Sequence, residues 1–186
     1  MTFWQNIFFA FWFFLPAGLA NLFPIFAAHM PILRNWSFPM DAGRTFRGKR
    51  ILGDNKTVRG LIVGIVVGII TVLFQKVLYT HWSYLESISP IDYRGISPII
   101  LGLLLALGAL GGDAVKSFFK RQQDIASGDS WLFFDQLDYV AGVIALTYFY
   151  TPLNLTEYLY LTGLWFVIHV LMTMTGYFLG LKQKVI

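Results

Sequence analysis

The chain has 186 residues, of which 56% are hydrophobic and only 13% charged, and its mean hydropathy is +0.62. These values exclude an ordinary water-soluble domain and indicate an integral membrane protein, with a length that fits a single domain over 1–186. The absence of cysteine excludes disulfides and thiolate metal sites. The net charge of +4 is informative mainly through where it falls.

Five apolar stretches, at 6–26, 61–79, 96–110, 139–151 and 158–181, are candidates to cross a hydrocarbon core of about 30 Å as helices. The predicted fold class is therefore all-α, an integral membrane protein with five transmembrane helices. The first stretch contains Pro16 and Pro24, which are expected to kink or end it. No basic residue precedes it, so it does not read as a cleavable signal peptide. The fourth is short and is expected to extend through Leu137 or a turn beyond Pro152.

Charge sets the expected topology. Arg34, Arg44, Arg47, Lys49, Arg50, Lys56 and Arg59 lie between the first two stretches. Lys116, Lys120 and Arg121 lie between the third and fourth, and Lys182 and Lys184 follow the fifth. Of the 14 Lys and Arg, that leaves Lys76 and Arg94 for the other side. The positive-inside rule then places the N-terminus outside and the C-terminus in the cytoplasm, with the protein multi-pass in the plasma membrane. Tyr79, Trp82, Tyr84, Tyr93, Tyr150 and Tyr158 fit an interfacial aromatic belt on the outer side. Gly60, Gly64 and Gly68 recur on one helix face, and Gly102, Gly108, Gly111 and Gly112 crowd the third stretch. Both patterns point to close helix packing.

Two loops on the expected cytoplasmic side carry chemistry. In GRTFRGKRILGDNKTVRG (43–60), glycines interleave with cations and hydroxyls, so backbone N–H groups and side-chain charge can face an anion together. Lys56, Thr57 and Arg59 run into the second helix, whose N-terminus adds favourable partial charge for phosphate. The GxxxxGK[ST] spacing of a P-loop is missing. Attraction to anionic headgroups explains a basic loop equally well, but it needs neither Asp41 nor Asp54.

In GDAVKSFFKR (112–121), a continuing third helix would place Asp113, Ser117, Lys120 and Asp124 on one face. Asp135 and Asp138, spaced i, i+3, would share a face entering the fourth helix. Carboxylates at a membrane boundary are costly unless paired or metal-bound. Their metal partner would be Mg²⁺, a hard ion that bridges carboxylate and phosphate; the structural alternative is pairing with Lys120 or Arg121. His169 reads as a helix-packing group, and His29 and His81 lack a second ligand at metal-binding spacing.

On these two motifs and the closing DQLD (135–138), the chain resembles the CDP-archaeol synthase family, membrane cytidylyltransferases related to phosphatidate cytidylyltransferase. The wider signature begins S-x-x-K-R, matched by Ser117 to Arg121, and closes D-x-x-D, matched by Asp135 to Asp138. Between them the chain has GDSWLFF (128–134) in place of the proline-glycine-histidine-glycine run of the bacterial enzymes. Val58 stands where tryptophan is common in the archaeol branch.

The resemblance implies CTP and a phosphorylated glycerol lipid as substrates, with 2,3-bis-O-geranylgeranylglyceryl phosphate the family's lipid. Products would be a CDP-lipid and pyrophosphate, with Mg²⁺ as cofactor, no nucleic-acid partner, and the active site on the cytoplasmic face. On this reading Asp135 and Asp138 bind metal, with Asp113 a third carboxylate. Lys120 and Arg121 neutralise the transferring phosphate, and Lys56, Thr57, Arg59 and Ser117 bind substrate. Homo-oligomerisation is left open. The alternatives are CDP-diacylglycerol synthesis from phosphatidic acid and a non-catalytic lipid-binding or transport protein. A CDP-alcohol phosphotransferase is disfavoured because its D-G-x-x-A-R motif is absent.

Overall fold

The computed structural model describes residues 1–125, 131 and 133–178. Lys182, Lys184, Asp129 and the end of the fifth predicted stretch lie outside the described residues. In chain order the elements are α1 (Phe3–His29), a hairpin of β1 (Thr45–Phe46) and β2 (Lys49–Arg50), α2 (Val58–His81), α3 (Ser83–Ile88), α4 (Pro98–Gln122), α5 (Phe134–Thr147) and α6 (Leu155–Phe178). Four helices, α1, α2, α4 and α6, are long and apolar enough to cross a membrane.

The fourth predicted stretch is α5, with 14 residues, or about 21 Å at ~1.5 Å per residue. It gains length at its start, running through Leu137 to Phe134, and stops at Thr147 before Pro152. The hairpin and α3 were not expected from the sequence. Neither proline ends α1, which begins at a capping box between Thr2 and Gln5 and continues through Pro16 and Pro24 to His29. Packing against α2, α4 and α6 keeps the chain helical where each proline removes a donor.

The core joins Phe9, Phe13 and Phe14 of α1 to Leu101 and Leu105 of α4, Tyr139 and Val143 of α5, and Trp165 of α6. Trp165 donates its indole N–H to Ala10 O at 3.1 Å, and the Tyr139 hydroxyl donates to Trp165 O at 2.9 Å. These bonds satisfy the polar tips of two aromatic rings that are otherwise buried. Outward faces are apolar, with Ile62, Val66, Ile70 and Phe74 of α2 and Leu159, Val167 and Leu171 of α6 exposed. A surface of that kind suits lipid.

Glycine sets how near the helices come. A Cβ on Gly64 would lie 2.7 Å from Ala20 O, and one on Gly68 would lie 3.0 Å from Gly102 O. The glycine face read from the sequence is therefore the α1–α2–α4 contact. The α4–α5 contact is closer still: a Cβ on Gly108 would lie 2.6 Å from Val143 Cα, and one on Gly112 would collide with Asp138 O. Backbones can approach this far only where no side chain intervenes. This approach brings the acid-bearing first turns of α5 against the end of α4.

The segment before α2 is ordered by Asp41, whose residue is only 7% exposed. Its carboxylate accepts from the N–H groups of Gly43, Leu52 and Gly53 and from the Arg50 guanidinium. Burial pushes the Asp41 pKa up, but the Arg50 and backbone hydrogen bonds outweigh it and hold the carboxyl well below the usual range. Arg47 and Gly48, with φ of 53° and 79°, turn the chain between Phe46 and Lys49. Positive φ at both central residues is the type I′ requirement for a two-residue hairpin. Lys56 O accepts from Met40 N–H and Phe38 O from Val58 N–H, which closes the base of this loop. Phe46 meets Phe118 of α4 at 5.9 Å between ring centroids. Lys49 reaches Gln122 O and Asp124 at α4's end.

Two outcomes follow from this architecture. Gly112→Ala should destabilise the protein by about 1–3 kcal/mol in thermal unfolding, whereas Gly111→Ala, with open space at its Cβ, should leave it unchanged or slightly more stable. Asp41→Asn should cost about 1–3 kcal/mol at pH 7 by leaving buried donors poorly paired. Because the folded carboxyl has a depressed pKa, its contribution is complete above the unfolded value of ~3.9 and fades as pH falls below it. Melting curves of wild type and Asp41→Asn should therefore converge in acid.

Candidate active site

The end of α4 presents Asp113, Lys116, Ser117 and Lys120 at the three- and four-residue spacings that share a helix face. Asp124 leaves that face, because α4 stops at Gln122 and Asp124 takes a φ of 60°. It pairs with Lys49 instead, at 2.5 Å. The first turns of α5 bring Asp135 and Asp138 to the same place, and the loop before α2 delivers Lys56.

These side chains form one ionic network. Lys116 Nζ lies 3.0 Å from Asp113 Oδ1, 3.2 Å from Asp135 Oδ1 and 2.9 Å from Asp138 Oδ2. Lys120 Nζ lies 2.7 Å from Asp135 Oδ1, and Lys56 is ion-paired with Asp113. Trp131 N–H also donates to Asp135, at 2.7 Å. The Asp138 side chain is only 6% exposed.

The other predicted residues occupy the borders of this network. Ser117 and Arg121 line a polar cavity of about 180 Å³, together with Asn55, Lys56, Lys116 and Lys120. Arg121 donates to Ile125 O, and among the described residues it forms no ion pair with Asp135 or Asp138. Thr57 is buried as the N-cap of α2, its hydroxyl accepting from Gly60 N–H at 3.1 Å. Arg59 is buried as well, donating to the carbonyls of Leu33 and Arg34. Both line a mixed cavity of about 600 Å³ between α1, α2 and the loop, which Lys56 and Asp113 also border.

Lys116 was read in the sequence only as a topological charge. Its place at i+3 from Asp113 was the available clue. Nothing local in the sequence announced Asp41 as the loop's anchor, because its partners beyond Gly43 are the Arg50 guanidinium and the N–H groups of Leu52 and Gly53, nine to twelve residues away.

A third cavity, of about 960 Å³, runs between α4 and α5 and is almost wholly apolar. Val115, Phe119, Phe133, Phe134 and Leu146 line it and are exposed at the protein surface. Lys116 and Asp138 stand at its polar boundary. An apolar groove thus meets a cation-lined cavity across the carboxylate–lysine network.

The network suits a hard divalent cation in donor chemistry, since it offers three carboxylates with little exposure to water. Among the described residues no three acid or histidine side chains are drawn together at metal-ligand spacing. The carboxylates stand instead at ammonium distances around Lys116.

Comparison with known proteins shows the family. The family model for CarS-like CDP-archaeol synthase matches residues 3–185. CDP-archaeol synthase of Methanospirillum hungatei is 38% identical over 179 residues, covering 91% of this chain and 98% of that protein. The Methanocaldococcus jannaschii CDP-archaeol synthase is 32% identical over 184 residues, covering 97% and 98%. A solved structure, described as an intramembrane enzyme for archaeal membrane lipid biosynthesis, superposes with a TM-score of 0.66 at 26% identity, over 89% of this chain and 92% of that one. The chain is thus an enzyme and belongs to the CDP-archaeol synthase family.

Proposed function

We propose that the protein transfers CMP from CTP to 2,3-bis-O-geranylgeranylglyceryl phosphate, releasing pyrophosphate and forming a CDP-lipid. The observation that carries this reading is the junction of a cation-lined polar cavity with a long apolar groove at one ionic network. A nucleotide triphosphate fits the first chemistry and isoprenoid tails the second. The relatives' shared name supplies the reaction class.

In the transfer, an ionised oxygen of the lipid phosphate forms a bond to the α-phosphorus of CTP. The bond from that phosphorus to the bridging oxygen breaks, and pyrophosphate carries away the electron pair. The nucleophile is already anionic at neutral pH, so no general base is needed. The obstacle is that two anions must meet. Lys120 and Arg121 neutralise the transferring phosphate, Lys56 and Ser117 hold the neighbouring phosphates, and the water-poor setting strengthens each contact. Thr57 and Arg59 act by shaping the wall that carries Lys56. Asp135 and Asp138, with Asp113, would hold Mg²⁺, which supplies charge neutralisation along the phosphates when bound. Lipid tails lie along Val115, Phe119 and Phe134 and enter sideways from the bilayer.

The same reading places α5 across the membrane as a short fifth span. The N-terminus is then outside, the C-terminus in the cytoplasm and the site on the cytoplasmic face of the plasma membrane. That assignment follows from the basic residues of both loops meeting at one end of the bundle, as in the Lys49–Asp124 and Lys56–Asp113 pairs.

Purified protein in archaeal-lipid nanodiscs, supplied with CTP and Mg²⁺, should release pyrophosphate with the geranylgeranyl ether-lipid phosphate and much less with phosphatidic acid. Faster turnover of phosphatidic acid would overturn the lipid assignment. Asp135→Asn and Asp138→Asn should each lower turnover by at least about a hundredfold, the scale of losing one electrostatic contact to a transition state. Near-normal turnover in both would remove them from the reaction.

Topology has its own test. The chain has no cysteine, so Thr45→Cys and Ser83→Cys each provide a single label site. An impermeant thiol reagent should label Ser83→Cys in intact cells and Thr45→Cys only after permeabilisation. The reverse pattern would invert the assignment.

A further inference from the structure

Lys116 is the group that the proposed reaction leaves unexplained. Its ammonium is the cation that Asp113, Asp135 and Asp138 share, at 2.9–3.2 Å, while Lys56 pairs with Asp113 and Lys120 with Asp135. The three carboxylates are thus balanced by three ammonium groups, with the Lys116 side chain 14% exposed. We infer that Lys116 is a place-holding cation, keeping the three carboxylates gathered until a divalent ion takes its position and then swinging onto the nucleotide phosphates. Before the exchange it positions the carboxylates of the cation site, and it becomes a phosphate ligand only afterwards.

Three observations support the exchange. A divalent ion and an ammonium cannot share one set of oxygens, because their repulsion at contact distance is large in a poorly solvated site. Lys116 also borders the 180 Å³ polar cavity as well as the apolar groove, so its flexible stem has somewhere to deliver the displaced charge. Finally, the Asp138 side chain is only 6% exposed and its ion pair with Lys116 is made through Oδ2, so a cation of higher charge standing in place of the ammonium would be drawn to a carboxylate already out of water.

The consequence is a coupling between the two ligands. Metal entering alone must push Lys116 into a cavity already holding Lys56, Lys120 and Arg121. Nucleotide entering alone finds those lysines held by carboxylates. Each ligand releases the partner the other needs, so their binding must be mutually reinforcing, and equally so in both directions. This inference rests on the reading that CTP and a divalent ion occupy this site.

The test uses Mn²⁺ binding, followed by electron paramagnetic resonance, to the full-length protein in nanodiscs. Wild type should bind Mn²⁺ at least about tenfold more tightly when the α,β-methylene analogue of CTP is present, within the usual range of coupling between sites. Lys116→Met, which keeps the stem and removes the charge, should bind Mn²⁺ without nucleotide at least about tenfold more tightly than wild type. In that variant the nucleotide should add less than in wild type. Equal or weaker Mn²⁺ affinity in a folded Lys116→Met protein would overturn the exchange, as would wild-type affinity indifferent to nucleotide. If Lys116→Met does not fold, the wild-type comparison decides by itself. Failure of wild type to bind Mn²⁺ and the CTP analogue together would overturn the proposed function as well, which separates the two results.

Discussion

Buried charge at the end of a nonpolar helix pair must be neutralised within the protein, and the structure is arranged around that requirement. Asp113, Asp135 and Asp138 stand where water is scarce, with side-chain exposures of 18%, 16% and 6%. Unpaired, each would be prohibitively costly. Lys56, Lys116 and Lys120 remove that cost locally. Such a cluster contributes little net stability compared with apolar packing, because desolvation offsets most of the attraction. Its value is positional: it fixes three ammonium groups and three carboxylates within one small volume.

Two unrelated devices serve this cluster. Glycine at 108, 112 and 142 leaves no side chain where the α4 and α5 backbones come into contact, so Asp138 and Asp113 can face a common lysine. Asp41 gathers backbone N–H groups and Arg50 into a compact loop whose last ordered act is to present Lys56 to Asp113. One device is steric and the other is hydrogen-bonded. The first acts through the apolar interior and the second through the polar loop, and the network lies between them.

The same geometry puts the ionic network at a boundary between apolar and polar space. The apolar groove on the α4–α5 surface is exposed through Val115, Phe119 and Phe133, while the polar cavity is walled by loop residues Leu52 and Asn55. Lys116 borders both spaces.

The sequence by itself determined the class, the four long apolar helices and which charged residues lie in the two polar segments. Apolar runs fixed α1, α2, α4 and α6, since only a helix satisfies its own backbone in lipid, and the motifs at 112–121 and 135–138 carried the family resemblance. The i, i+4 and i, i+7 spacings from Asp113 to Ser117 and Lys120 were readable because α4 is regular. Only the tertiary structure decided which ions meet: that Lys116 rather than Arg121 joins the aspartates, that Asp124 turns away to Lys49, and that Arg59 is spent on the carbonyls of Leu33 and Arg34. It also decided that α1 runs through both prolines and that α5 starts at Phe134 and ends at Thr147. Periodicity along one helix reports a shared face, but a pairing between elements depends on how closely two backbones come, and glycine contacts between distant segments set that distance.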